Sequence, residues 1–294
     1  MSKNPLRWLS EQVLLAGMRP PLAPQLLLRR PDRDDVDLDG KRILLTGASS
    51  GIGEAAAEKF ARRGATVVVA ARRQELLDEL VDRIAADGGS ARAHACDLSD
   101  LDAVDDLVAT LERDLGGIDI LINNAARSIR RPLAESLDRW HDVERTMSLN
   151  YYSPLRLIRG LAPGMRERGD GHIINVSTWG VLSESAPLFS VYNASKAALT
   201  AVSRIIETEW GADGVHSTTL YYPLVLTPMI APTRAYDGLP GLSPDEAADW
   251  MITAARERPV RIAPRIAVTA QAVNTFAPGA VNAVMKRQRV QPSS

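Results

Sequence analysis

"RILLTGASSGIG" (Arg42–Gly53) carries an apolar run straight into a glycine-rich turn, and "EAAAEKFARRG" (54–64) continues it with helix-forming residues closed by Gly64. Strand, tight turn and helix in that order make the first half of a βαβ unit. The alternation repeats downstream. "ATVVVAA" (65–71), "ARAHAC" (91–96), "IDILI" (118–122) and "HIINVS" (172–177) read as strands. Between them, 74–89, 99–117 and about 136–166 read as helices, with Ser99 as an N-cap and glycines stopping the first two. Continuous apolar strands alternating with helices predict a parallel sheet covered on both faces. The right-handed crossover rule makes it an α/β doubly wound sheet in a single domain. "HSTTLYYP" (216–223) and "PVRIAP" (259–264) extend the sheet, with a small substrate-loop insertion near 228–258. The boundaries are an N-terminal extension (1–39), the α/β domain (40–265) and a C-terminal extension (266–294).

Bulk properties fit this class. The 294 residues are 45% hydrophobic and 24% charged, ordinary for a globular chain with a sizeable core. A net charge of −1 gives no field to recruit nucleic acid. Cys96 is the only cysteine, which rules out an internal disulfide and fits a reducing, cytoplasmic setting. No apolar run reaches the roughly 18 residues of a membrane-spanning helix, and Arg7 and Glu11 interrupt the N-terminus as a secretion signal. "NPLRWLSEQVLLAGM" instead spaces Leu6, Leu9 and Val13 for one helical face. That helix is either a peripheral membrane-surface or lid element, or one packed on the domain or a subunit neighbour. His141 and His172 show no metal-ligand spacing, and no metal is expected.

The opening turn has a chemistry of its own. Gly47, Ser49, Ser50, Gly51, Ile52 and Gly53 let the backbone approach a pyrophosphate, and the following helix offers free N–H groups and a positive dipole to that anion. The second strand then selects the dinucleotide. It ends Ala70-Ala71-Arg72-Arg73 with no carboxylate for a ribose 2′-hydroxyl. A guanidinium grips a 2′-phosphate that a carboxylate would repel. Arg72, helped by Arg73 and Ser49, therefore predicts NADP(H) over NAD(H).

"VYNASKAAL" (191–199) puts Tyr192 and Lys196 one helical turn apart, on one face. With the glycine turn, Asp97, the run Asn123-Asn124-Ala125-Ala126 and Asn150, this order of motifs resembles the short-chain dehydrogenase/reductase family over residues 40–265. The resemblance implies a Rossmann-like fold and a set of roles. Asp97 and Leu98 border the adenine, and Asn123, Asn124 and Ala125 lie along the cofactor ribose. Asn150 helps hold a proton-relay water. Val225 meets the nicotinamide carboxamide through its backbone, and Thr227 its phosphate or amide side. Tyr192 and Lys196 are the catalytic pair, Lys196 also touching the ribose. A nearby ammonium and the nicotinamide charge are expected to lower the tyrosine pKa from about 10.

Three positions depart from the family pattern. Ala126 replaces a glycine, and Pro223-Leu224 stands for Pro-Gly in a segment one residue shorter. Ser177-Thr178 stands for Ser-Ser, one residue further from the tyrosine than usual. Thr178 is the preferred catalytic hydroxyl and Ser177 the alternative.

Within the family, 123–146, 223–233 and 242–249 look like bacterial long-chain fatty acyl-CoA reductases. That resemblance implies NADPH-dependent reduction of a lipid-like acyl thioester, and a homo-oligomer is expected by analogy with the family. Arg127, Arg130 and Arg131 either steer CoA phosphates or form a solvated basic loop. The segment Thr227–Leu242 would be a mobile cover whose Met229, Ile230, Tyr236 and Leu239 suit an apolar chain, with Trp179, Leu188 and Phe189 flanking the pocket. The alternatives are a ketone or alcohol dehydrogenase acting on a lipid or steroid, and a non-catalytic NADP(H)-binding sensor module.

Overall fold

A computed structural model describes residues 5–21, 36–231 and 233–287. The elements in chain order are α1 (Pro5–Met18), β1 (Arg42–Thr46), α2 (Gly51–Ala61), β2 (Thr66–Ala71), α3 (Gln74–Ala86), β3 (Ser90–Ala95), α4 (Leu101–Leu115) and β4 (Ile120–Asn123). There follow α5 (Trp140–Met147), a π-helical turn (Ser148–Tyr152), α6 (Ser153–Arg168), β5 (Gly171–Thr178), α7 (Ser190–Trp210), β6 (Val215–Tyr222), α8 (Pro244–Glu257), β7 (Arg261–Ile262), α9 (Arg265–Phe276) and α10 (Pro278–Arg287).

The seven strands form one sheet in the order β3-β2-β1-β4-β5-β6-β7, and every pairing is parallel. Alternate residues of each strand feed opposite cores. Ile43, Leu45, Val67 and Val69 pack with Ala56 and Phe60 of α2, Leu77 of α3 and Met251 of α8. Leu44, Val68 and Leu121 pack with Leu107 of α4, Leu157 of α6 and Leu199 of α7. Burial on both faces explains why the strands read as unbroken apolar runs. Strand order reverses between β1 and β4, and such a switch point opens a crevice at the carboxyl ends of the strands.

Some local expectations change. The helix expected from 136 starts at Trp140. Before it, the Pro132 carbonyl accepts both the Glu135 N–H (3.0 Å) and the Ser136 hydroxyl (3.0 Å), closing a separate turn. The N-cap of α4 is Asp100, whose carboxylate accepts from the Asp102 N–H at 3.0 Å and the Ala103 N–H at 3.4 Å. Ser99 instead gives its hydroxyl to Asp97 at 2.6 Å. The second half of the expected insertion is α8, the crossover that the parallel β6–β7 pair requires.

The N-terminal helix packs on the domain. The Arg265 N–H donates to the Arg19 carbonyl (3.1 Å), its Nε to the Pro20 carbonyl (3.2 Å), and Arg19 pairs with Glu246 of α8 (3.4 Å). The buried face is not the expected one. Val13 is 66% exposed, whereas Leu14, Leu15 and Met18 join the core. Docking against α8 and α9 sets the face one residue further along. The side chains of Leu6 and Leu9 lie outside the described residues. No described helix is long and apolar enough to cross a membrane.

Candidate active site

A cleft of about 1210 Å³ opens at the carboxyl ends of β1, β2, β4, β5 and β6. Its floor is the glycine turn. Gly51 has φ +63°, and a Cβ there would lie 3.1 Å from Cγ2 of Thr227, so the turn and the 223–243 segment nearly touch. A Cβ on Gly53 would sit 2.4 Å from the Gly47 carbonyl oxygen, which fixes the helix against the turn. Ser50 is the N-cap of α2 but makes no side-chain capping bond, so the first N–H groups of that helix are left for an anion.

Beside this cradle stands a cationic wall. Arg73 donates to the Ser49 hydroxyl at 3.0 Å, and Arg72 lines the cleft without a protein hydrogen bond among the described residues. Asp97 and Leu98 lie on the same wall. The Ser99 hydroxyl holds the Asp97 carboxyl below its usual pKa, with Arg72 and Arg127 adding to the effect. Arg127 is pushed below its usual value first by burial, then by Arg145 and Arg72. The guanidiniums of Arg72, Arg127 and Arg145 thus stand close enough to act on one another at this side of the cleft, which Arg73 also lines.

The turn after β4 serves as a brace. The Thr46 hydroxyl accepts the N–H groups of Asn124 (2.9 Å) and Ala125 (3.1 Å). The Asn124 amide donates to the carbonyls of Thr46 (3.0 Å) and Gly47 (3.2 Å). Asn123 is buried and donates to Asn175 at 2.8 Å. Asn124, Ala125 and Ala126 line the cleft; Asn123 lies beneath it.

Tyr192, Lys196 and Thr178 share the cleft, with Tyr192 half-buried and Lys196 only 1% exposed. The Lys196 ammonium donates to the Val176 carbonyl at 2.8 Å and has no other protein hydrogen bond among the described residues. Burial without a counter-charge lowers its pKa to about 8. The expected depression of the Tyr192 pKa is absent. Burial raises it to about 12, the nearby Tyr236 adds to the rise, and only a hydrogen bond with Thr178 opposes it. An ammonium tied to a backbone carbonyl leaves desolvation dominant. The ring of Phe189 stands edge-on to Tyr192, 6.1 Å between centroids.

Strand alternation separates the two candidate hydroxyls. Ser177 bonds Thr200 at 3.1 Å, whereas the Thr178 hydroxyl pulls the phenol's pKa downward and caps the next turn through the Gly180 N–H at 3.4 Å. Asn150 is fully buried in the π-helical turn. Its oxygen accepts the Arg127 N–H (2.8 Å), and its amide donates to the Arg127 carbonyl (2.9 Å) and the Ser195 hydroxyl (3.0 Å). It ties the cationic loop to the helix that carries Tyr192.

At the other end, Val225 bridges to Leu242. The Leu226 N–H donates to the Leu242 carbonyl, and the Leu242 N–H to the Leu224 carbonyl, both at 2.9 Å. This clamp holds Val225, Thr227, Met229, Ile230, Tyr236 and Leu239 on the wall with Trp179 and Phe189. Leu188 is not on the wall; its carbonyl instead accepts the Arg131 N–H at 2.7 Å. Arg131 is held by Asp142, and neither it nor Arg130 lines the cleft, so only Arg127 of the three expected arginines faces it. His172 bonds the Thr218 hydroxyl at 2.9 Å inside the sheet, and no group of metal-ligating side chains occurs among the described residues. Leu14, Met18, Arg145, Leu149, Ile266, Ala270 and Met285 also line the cleft; sequence reasoning missed them because no local motif marks them.

These residues suit a nicotinamide dinucleotide. The turn admits close backbone approach, the uncapped helix end accepts a pyrophosphate, and the buried ammonium has donors to spare.

The short chain dehydrogenase family matches residues 41–237. The chain is 72% identical over 291 residues to a fatty acyl-CoA reductase of Mycobacterium tuberculosis, covering 99% of both. It is 47% identical over 249 residues to a fatty acyl-CoA reductase of Acinetobacter baylyi, covering 85% and 84% of the two chains. Among solved structures it resembles a metagenomic short-chain oxidoreductase in complex with NADP, with TM-score 0.65 and 30% identity over 75% of this chain and 92% of that one.

Proposed function

This chain belongs to the short-chain dehydrogenase family, and we propose that it is an NADPH-dependent reductase of long-chain acyl thioesters, with Tyr192 as proton donor. The names of the two relatives support the substrate, and the NADP complex of the solved neighbour supports the cofactor. The observation that carries the reading is the meeting of Tyr192 and Thr178 in one cleft, with Lys196 behind them and the Arg72–Arg73 wall at the far end.

The bound cofactor supplies a hydride at the nicotinamide ring. Arg72, with Arg73 and Ser49, holds the 2′-phosphate, while the turn 47–53 and the first N–H groups of α2 hold the pyrophosphate. Asp97 and Leu98 border the adenine, and Asn124 and Ala125 shape the ribose wall, with Asn123 bracing it from below. Lys196 gives its spare donors to the nicotinamide ribose, and Val225 and Thr227 cover the carboxamide side. Thr178 donates to the thioester carbonyl oxygen as negative charge develops there. Tyr192 donates its proton to the same oxygen. A phenol held near 12 stays protonated at neutral pH, which suits the reducing direction. Collapse of the resulting hemithioacetal gives an aldehyde and free CoA thiol. Asn150 keeps the loop at Arg127 registered against α7. The buried Cys96 thiol is pushed up to about 11, which favours direct reduction over an acyl-cysteine route.

The test is NADPH oxidation with hexadecanoyl-CoA, a fatty aldehyde and a panel of ketones and alcohols. Aldehyde formed from hexadecanoyl-CoA is the expected result. Turnover of ketones or alcohols alone points to an ordinary lipid carbonyl dehydrogenase. Tight NADPH binding without any turnover points to a binding module.

A further inference from the structure

Eight cleft-lining residues come from outside the segment that the family matches, which is residues 41–237. Leu239 and Pro240 precede α8, and the other six come from the terminal helices: Leu14 and Met18 from α1, Ile266, Ala267 and Ala270 from α9, and Met285 from α10. They line the same cleft as Tyr192 and Thr178 and are apolar without exception. The helices are fixed in place. Arg265 ties α9 to the carbonyls of Arg19 and Pro20 at 3.1 and 3.2 Å, and Arg19 pairs with Glu246 at 3.4 Å. Glu246 is itself locked in a capping box with Ser243 at the start of α8. Gly17 brings α1 close to α9, since a Cβ built there would stand 3.6 Å from Cβ of Ile266. The cleft, at about 1210 Å³, is larger than the roughly 300–1,000 Å³ of a common small-molecule site. It has room for an apolar guest beside a dinucleotide.

We infer that α1, α9 and α10 form a channel for the unbranched alkyl chain of the substrate, with Met18, Ile266, Ala270 and Met285 setting the chain length it accepts. This deepens, and rests on, the acyl thioester reading above. The apolar lining that the terminal helices add to the cleft matches the hydrocarbon tail of such a substrate. Ala270 is the natural place to narrow the channel, because its side chain is the smallest of the four.

The experiment is calorimetric binding of octanoyl-CoA and hexadecanoyl-CoA to the NADP⁺-loaded full-length protein. Each buried methylene is worth about fourfold in affinity. The native protein should therefore bind the longer chain at least about tenfold more tightly, a floor far below the full eight-methylene effect. Ala270→Phe should bring that ratio down to about threefold or less while leaving the NADP⁺ affinity in place. Ala270→Leu repeats the test should the larger ring disturb folding. Equal affinity of the native protein for the two chains overturns the proposal, as does an Ala270 variant that weakens both equally or neither. Aldehyde formation is followed in parallel. Length-dependent binding without aldehyde retires the thioester chemistry and keeps the channel. Aldehyde formation without length dependence retires only the channel.

Discussion

The two ends of the cleft are built on different plans. The dinucleotide end is mostly backbone and short side chains. Its turn is laced by Thr46 and Asn124, and its selectivity sits on the Arg72–Arg73 pair at the end of one strand. The substrate end is assembled from distant pieces: Met18, Thr178, Tyr192, Met229, Ile266 and Met285. One end holds a fixed partner through local geometry. The other gathers side chains from helices at both termini around a single phenol. The lesson is that the reaction type is encoded locally and the substrate globally, so substitutions at the two ends should separate chemistry, cofactor choice and chain selection.

The largest expected effect lies where the ends meet. Tyr192→Phe removes the proton donor and should lower kcat by about 10³-fold, within the range of general acid catalysis, while NADPH affinity measured by fluorescence stays within about threefold. A comparable loss of NADPH binding would merge the two ends into one. Next, Thr178→Ala should cost about 10²-fold in kcat and Thr178→Ser much less, whereas Ser177→Ala should stay within about threefold. The reverse ranking would transfer the role to Ser177, against its bond to Thr200 at 3.1 Å.

Arg72→Ala should then raise the dissociation constant for NADPH by about 10- to 100-fold, the worth of a charge-assisted hydrogen bond, and leave NADH nearly unchanged. Equal losses for both cofactors would remove the 2′-phosphate from that wall. The smallest effect is a pH dependence. With the Lys196 pKa lowered to about 8, its ammonium is present below pH 8 and lost as pH rises through it, so kcat/KM for reduction should fall on the alkaline side near 8. The phenol, near 12, should add no limb below pH 10. Lys196→Arg carries a guanidinium that stays charged and should move the limb upward, in whatever activity it retains. A limb unmoved by that change would belong to another group.

Much of the first end could be read from the sequence. The glycine turn, the arginines ending β2 and the Tyr192–Lys196 spacing are each contained within a few residues, and the sheet follows from strands buried on both faces. Tertiary packing decided the rest. The face of α1 depends on where α9 lies, so helical spacing alone favoured Val13 over Leu14 and Met18. Arg131 read equally as a steering group for phosphate or as part of a solvated loop, and only the fold brings Asp142, eleven residues on, to hold it. The phenol pKa was misread because a nearby charge is visible in a motif and desolvation is not. Arg145 carries no local mark at all, since only the fold brings it beside Arg127.

The most direct test is a single turnover of the NADPH-loaded protein with hexadecanoyl-CoA, quenched and analysed for aldehyde and free CoA, alongside the same protein without NADPH. Direct reduction governed by Tyr192 and Thr178 predicts one aldehyde and one CoA per NADPH oxidised, and no CoA release when NADPH is omitted. Stoichiometric release of CoA without NADPH would reveal an acyl-enzyme and contradict the account.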